Sequence, residues 1–213
     1  MTFTLLNAIA STEGVLTASL LTLEKSVWAD YRLALLFTVL LPLILLVWAF
    51  LKKSEGIQLL LTIYWKVASL LMITVYLMIG GFSFSFISGL MARVLIPIGL
   101  WFWEDLNEEI REQPNTPLRF AFVAWRWAVT LYSAAGAIFI AFFLPCAFSQ
   151  ARFGGEACQT WLQPPLLYKY YFHFAYTNGF LAFFGVLGLI IYLMALSYFV
   201  FVRLGRQGRS AIN

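Results

Sequence analysis

The most informative shortage in this sequence is charge. Only 11% of the 213 residues are charged, 62% are hydrophobic, and the mean hydropathy is +0.84. A soluble globular domain carries about 25% charged residues, so this chain has too few polar groups to cover a water-exposed surface. Five membrane spans of about 20 apolar residues each would use about half of the chain and leave no room for a soluble catalytic domain. The composition therefore predicts an all-α, polytopic transmembrane helix bundle in a single membrane domain, 1–213.

Histidine is also scarce, and its scarcity excludes several kinds of enzyme. The single histidine, His173, cannot form the His-Glu-x-x-His pair of an intramembrane metalloprotease. The sequence contains no Gly-x-Ser-x-Gly elbow, no Walker loop and no dinucleotide fingerprint. The lysines and arginines are scattered rather than clustered, so nucleic acid is not expected as a partner. We therefore expect a protein that is not an enzyme and holds no metal.

Long apolar runs predict five membrane spans with short connections. The predicted spans cover residues 31–51, 57–79, 83–103, 120–148 and 178–202. Residues 1–30 are moderately apolar but carry Glu13, Glu24 and Lys25, so we expect them to form an interfacial segment rather than a sixth span. Residues 203–213 form a short basic tail.

The distribution of basic residues predicts the orientation of the bundle, because cytoplasmic loops carry an excess of lysine and arginine. One side of the predicted topology collects Lys52, Lys53, Arg111, Arg119, Arg203, Arg206 and Arg209, and the other collects Lys25, Arg32, Arg152 and Lys169. This asymmetry predicts that the N-terminus lies outside and that the C-terminus is cytoplasmic. Both cysteines, Cys146 and Cys158, fall on the outer side, where an oxidising compartment would allow a disulfide. Alternatively, Cys146 is only a small buried residue at a helix end.

Three bases, Lys66, Arg93 and Arg126, fall inside predicted spans, at depths of about 14, 15 and 9 Å from the cytoplasmic side. Each base belongs to a polar stripe at helical spacing, and such stripes are expected to face the bundle interior. The stripes are Thr62, Lys66, Ser69 and Tyr76; Ser85, Gly89 and Arg93; and Arg126, Thr130 and Ser133. Pro97 lacks an N–H and leaves the carbonyl of Arg93 without its helical partner, which predicts a bend in the third span.

Buried bases require anionic partners or water, and Glu104 and Asp105 are the acids at the same mouth of the bundle. Three explanations remain open: structural pairing with these acids, a site for an anionic lipid headgroup or anionic substrate, and snorkelling of the bases toward the interface.

Residues 104–119 form the most polar stretch of the chain, which we interpret as an ordered interfacial loop. Its charged residues Glu108, Glu109, Arg111 and Glu112 are candidates for contact with a partner protein.

Tryptophan is concentrated toward the cytoplasmic half of the spans, where interfacial anchoring is its usual role. The six residues concerned are Trp48, Trp65, Trp101, Trp103, Trp125 and Trp127. The alternative is a groove for a pigment, a quinone or a partner helix.

His173 lies among aromatic residues outside the spans, where a surface hydrogen-bonding role is the ordinary one. Ligation of a pigment such as chlorophyll, or binding of a carotenoid or lipid nearby, is the other possibility.

The segment WFWEDLNEEIR at 101–111, continued through Pro114, Pro117 and Arg119 into WRW at 125–127, resembles an uncharacterised family of small cyanobacterial integral membrane proteins with a domain of unknown function. This resemblance implies a thylakoid or plasma membrane of a photosynthetic prokaryote, and it implies no activity.

Two functions are compatible with these features. The first is a non-catalytic accessory subunit or assembly factor of a photosynthetic membrane complex, which binds other membrane proteins through the acidic segment. The alternative is a small carrier or binding protein for an anionic solute or lipid, lined by Lys66, Arg93 and Arg126.

Overall fold

The computed structural model describes the backbone of residues 2–211 and the side chains of residues 17–205 and 208–211, and all regular elements of this part are helical. The helices are α1 (Thr2–Ala34), α2 (Leu41–Lys52), α3 (Glu55–Ile79), α4 (Ser85–Trp101), α5 (Glu104–Glu112), α6 (Pro117–Ala141), α7 (Pro145–Phe148), α8 (Gln150–Phe153), α9 (Glu156–Thr160), α10 (Gln163–Phe172), α11 (Asn178–Tyr198) and α12 (Leu204–Gln207). Two π-helical segments, Leu35–Leu40 and Phe199–Arg203, join α1 to α2 and α11 to α12.

Four helical stretches of the described chain are long and apolar enough to cross a membrane. They are Thr17–Lys52, Glu55–Ile79, Pro117–Ala141 and Asn178–Arg203. Helices α4 and α5, bent by 57° at their junction, together form a fifth candidate. The predicted multi-pass, all-α architecture is therefore confirmed.

Helix α4 lies between α3 and α6, and α3 also packs against α2 and α11. At one end of the bundle, which we call the α5 end, fully buried Leu60, Leu100, Leu106 and Phe122 form a common core. At the opposite end, Cys146 and Cys158 are joined in a disulfide with Cα atoms 6.0 Å apart. We call this the disulfide end, and here Phe86 and Trp161 pack around the bridge.

The first helical rod is longer than the sequence suggested. The prediction divided an interfacial segment, 1–30, from a first span, 31–51, but the chain is helical without a break from Thr2 to Lys52. No glycine or proline occurs between Val15 and Leu41, so nothing in this stretch interrupts the helix. The side chain of Glu13, on which part of that prediction depended, lies outside the described residues.

Pro42 accounts for the π-helical segment and for the attachment of the rod to its neighbours. Without an N–H, Pro42 cannot bond to the carbonyl of Thr38, and the Thr38 carbonyl instead accepts a 2.7 Å hydrogen bond from the Tyr64 hydroxyl. The neighbouring carbonyl of Phe37 accepts one of 2.8 Å from the Trp125 indole. Two carbonyls released by the irregular turn therefore bind the rod to α3 and α6.

Two other predicted boundaries differ from the structure. The fourth span was predicted to end at residue 148, but α6 ends at Ala141, because Pro145 begins a separate short helix, α7. The segment predicted as a loop, 104–119, contains the nine-residue helix α5. Pro97 lies inside α4, which continues to Trp101.

Candidate functional site

A buried ion pair lies in the middle of the bundle, between Arg93 on α4 and Asp30 on α1. Nη2 of Arg93 donates a hydrogen bond to Oδ2 of Asp30, and the two side chains are only 8% and 13% exposed. The Tyr132 hydroxyl, on α6, donates to Oδ1 of Asp30 at 3.0 Å. Three helices are therefore connected through one carboxylate, which also provides the negative charge that Arg93 needs at this depth.

The space for Arg93 depends on Gly136. A Cβ atom at position 136 would lie 1.8 Å from Nη1 of Arg93. Nη1 is fully buried and has no hydrogen-bond partner in the described part of the chain, and the same is true of the Ser133 hydroxyl one turn away on α6. The absence of a side chain at Gly136 is therefore what allows Arg93 to reach Asp30.

Arg126 is buried in a different environment. Its guanidinium lies over the ring of Trp101, with Cζ 3.6 Å from the ring centroid, and its Nη1 donates a 2.7 Å hydrogen bond to Oδ1 of Asn107. Asn107 in turn donates to the carbonyl of Trp101 at 3.1 Å. The Trp101 indole donates to Thr130 Oγ1 at 2.9 Å. The base is thus held by neutral groups.

Lys66 does not face the bundle interior. All three polar stripes were predicted to face inward, and for the stripe that contains Lys66 this prediction was wrong. Lys66, Thr62 and Ser69 are exposed, while the opposite side of α3 buries Leu60 and Tyr64. The hydroxyls of Thr62 and Ser69 bond to carbonyls of their own helix. Since these hydroxyls are satisfied locally, the stripe needs no interior partner.

The structure therefore does not bring the three bases together in one site. Glu104 and Asp105, the predicted partners of the bases, contact the C-terminal tail instead. Oε1 of Glu104 lies 2.5 Å from Nη1 of Arg209, and Oδ2 of Asp105 accepts hydrogen bonds from the Ser210 hydroxyl and the Ala211 amide. The bend after α4 turns these acids away from the spans and toward the tail.

Helix α5 has one apolar side and one acidic side. Leu106 and Ile110 are 0% and 2% exposed, against the core of the α5 end. Glu104, Glu108 and Glu112 are exposed and follow each other at intervals of four residues, so they share one side of the helix. Because the helix is fixed at its N-terminus by the tail and along its apolar side by the bundle, it presents a stable acidic surface.

The remaining charged residues of α5 complete this surface. Arg111 lies 3.5 Å from Glu108, and both side chains are largely exposed. Glu109 lies over Gly56 at the first turn of α3, where the helix dipole favours a carboxylate. A groove of about 800 Å³ opens beside Glu109, between the α2–α3 turn and the start of α6. Its lining includes Lys53, Gln113 and Pro114.

His173 lies beyond α10 at the disulfide end, in contact with tyrosine rings. Its Nε2 is 3.4 Å from the Tyr76 hydroxyl, and its Nδ1 is enclosed without a partner among the described residues. Burial, followed by the neighbouring Tyr76, raises the pKa of Tyr168 in this cluster to about 12. Neither ring nitrogen of His173 is presented freely to a pigment, so this geometry does not favour the alternative in which His173 binds a pigment.

Sequence reasoning missed Asp30. It was not counted among the acids of the N-terminal segment, because its partner Arg93 is 63 residues away and the acids after α4 were closer in sequence. One signal was available: Asp30 is the only acid between Lys25 and Lys52. An isolated acid at the start of a long apolar run is a candidate partner for an intramembrane base.

These features define a multi-pass helical membrane protein with a buried ion pair and an acidic surface helix. The chain belongs to the family described as "Protein of unknown function (DUF3177)", whose family model matches residues 24–212. The predicted resemblance to a family of unknown function is thereby confirmed, and the matched range contains both Asp30 and α5. No curated protein and no solved structure matches the chain.

Proposed function

We propose that this protein is a non-catalytic accessory subunit or assembly factor, which binds another membrane protein through the acidic side of α5. The observation that carries the proposal is the arrangement of Glu104, Glu108 and Glu112 on one exposed side of a helix whose other side is buried. The complementary surface on the partner is basic.

The sign of the charge separates this role from simple attachment to lipid. A helix that lies on an anionic membrane usually carries lysine and arginine on its polar side. Helix α5 carries five acids and one base, so its polar side is repelled by anionic headgroups. Such a surface suits a basic protein segment at the membrane boundary, and the adjoining groove at Glu109 and Gln113 offers this segment an edge to pack against.

The proposed setting is the thylakoid or plasma membrane of a photosynthetic prokaryote, with α5 on the cytoplasmic side. The resemblance of the 101–127 segment supports the setting, and the excess of basic residues on the same side supports the orientation. The partner is then a membrane protein with a basic cytoplasmic loop or tail.

The carrier alternative has less support. A carrier site lined by three bases would require Lys66, Arg93 and Arg126 around a common cavity, whereas Lys66 is exposed and Arg93 is paired with Asp30.

The test is recovery of the partner with charge variants of α5. We expect the double variant Glu108→Gln/Glu112→Gln to retain about tenfold less of the copurifying partner than the wild type does, because two charged contacts are lost. The measurement is native purification of the full chain in mild detergent, with quantitative mass spectrometry of the proteins that accompany it.

The matched control is Glu156→Gln, which removes an exposed acid from the disulfide end. This control should retain the partner fully. Equal recovery with the wild type and the double variant would refute the proposed role of α5.

A further inference from the structure

Arg93 and Arg126 are the two buried arginines of the described chain, and of these two only Arg126 has no acidic partner among the described residues. Arg93 has Asp30, whereas no carboxylate of the described chain lies within 4.0 Å of the Arg126 guanidinium. The residue is only 8% exposed. A buried guanidinium without a counter-charge is unfavourable unless an anion is supplied from elsewhere.

The hydrogen bonds of Arg126 leave one edge of the guanidinium unused. Nη1 donates to Asn107, while Nε is buried without a partner. Nη2 makes no hydrogen bond to a described residue and is not fully enclosed. The N–H groups of Nε and Nη2 lie along the same edge of the planar guanidinium, and this pair is the fork that binds carboxylate or phosphate oxygens in bidentate fashion.

The neighbours of Arg126 hold this fork in position. Trp101 covers one side of the guanidinium plane, and Asn107 fixes the Nη1 side. Asn107 is itself held by the carbonyl of Trp101. Since the stacking ring and the amide both restrict rotation of the guanidinium, the free edge is oriented before any ligand binds.

We propose that the Nε–Nη2 edge of Arg126 binds a phosphate-type oxyanion. The depth of the site favours the phosphate of an anionic lipid, because Asn107 belongs to α5, whose five acids keep it at the membrane surface. In the proposed site, the guanidinium of Arg126 reaches from α6 to Asn107 of this surface helix, toward the headgroup phosphate. A free phosphate group would be recognised by the same chemistry. This site is independent of the protein partner proposed for the acidic side of α5.

The test measures binding of two probes to the purified full chain. Phosphatidylglycerol is titrated and followed by native mass spectrometry, with phosphatidylcholine as the neutral lipid control, and inorganic phosphate is titrated by calorimetry. We expect Arg126→Gln to weaken binding of the phosphate-bearing probe by about tenfold or more. Arg126→Lys keeps the positive charge but loses the two parallel N–H donors. Its affinity for the probe should therefore lie between those of the wild type and Arg126→Gln. The control Arg111→Gln removes an exposed base at the same end and should bind as the wild type does.

A second variant, Asn107→Asp, separates a binding role from a structural one. It would supply Arg126 with a carboxylate, so we expect it to preserve or raise the thermal stability while it expels the anion. If Arg126→Gln and Asn107→Asp lose binding of phosphatidylglycerol but not of inorganic phosphate, the site is a lipid site. If they lose binding of inorganic phosphate but not of phosphatidylglycerol, the site takes a soluble oxyanion. Wild-type binding of both probes by these two variants would overturn the proposal.

Discussion

Replacing Asp30 by alanine is expected to lower the free energy of unfolding by about 3–5 kcal/mol, because it leaves the buried charge of Arg93 without its partner. Tyr132 would also lose the carboxylate that accepts its hydroxyl proton. The guanidinium has little freedom to escape to water, since its side chain is 8% exposed. The measurement is denaturant or thermal unfolding of the purified protein in one detergent.

Two controls separate the buried charge from a general effect of substitution. Glu108→Gln breaks an ion pair whose side chains are 64% and 74% exposed, and it should change the unfolding free energy by less than about 1 kcal/mol. The double variant Asp30→Leu/Arg93→Met removes both charges and should recover much of the loss. An Asp30→Ala protein as stable as the wild type would mean that the pair does not hold the bundle together.

Replacing Gly185 by leucine is expected to lower the free energy of unfolding by about 3 kcal/mol, because it forces α11 away from α3. A Cβ atom at position 185 would lie 3.0 Å from the Leu77 amide nitrogen and 3.1 Å from the Tyr76 carbonyl carbon. These hydrogen-bonded backbone atoms of α3 cannot move aside as a flexible side chain would. Few residues of α11 are buried, namely Leu181, Ala182 and Gly185, so the helix has little other contact to compensate.

Gly179 offers a matched control on the same helix. No atom lies within 4 Å of a Cβ at position 179, and leucine favours a helix more than glycine does. Gly179→Leu should therefore be neutral or slightly stabilising in the same unfolding assay. Equal losses for the two variants would show that the effect of Gly185→Leu does not arise from the helix contact.

The helical framework was predictable from the sequence because each span is an apolar run bounded by charges or glycines. The fifth span, predicted as 178–202, agrees closely with Asn178–Arg203. The sequence also drew attention to the charged residues of α5, of which Glu108 and Glu112 are exposed, and their contact with a partner stays a prediction. Their helical geometry was missed, because the polarity of the whole segment 104–119 was taken to indicate a loop.

The contacts between distant segments were not predictable in the same way. Helical spacing identifies which residues share a side, but not whether that side faces the bundle or the surroundings, and this is why Lys66 was wrongly placed inside. The pairing of Asp30 with Arg93 depends on the approach of α1 to α4. The Arg93 side chain also needs the space left by Gly136 on α6, and the importance of this glycine is evident only from its distance to Arg93.

Contact between the acidic side of α5 and a partner protein can be detected by photo-crosslinking in intact cells. A photoreactive phenylalanine is introduced at Glu108 or Glu112, and, for comparison, at Ile190, an exposed apolar residue of α11. We expect a discrete protein adduct of one mass from the two α5 positions, and we expect its yield to fall sharply when a glutamine replaces the remaining glutamate of the pair. Adducts from position 190 alone, with none from α5, would refute the contact through α5 and would assign it to the exposed apolar side of α11.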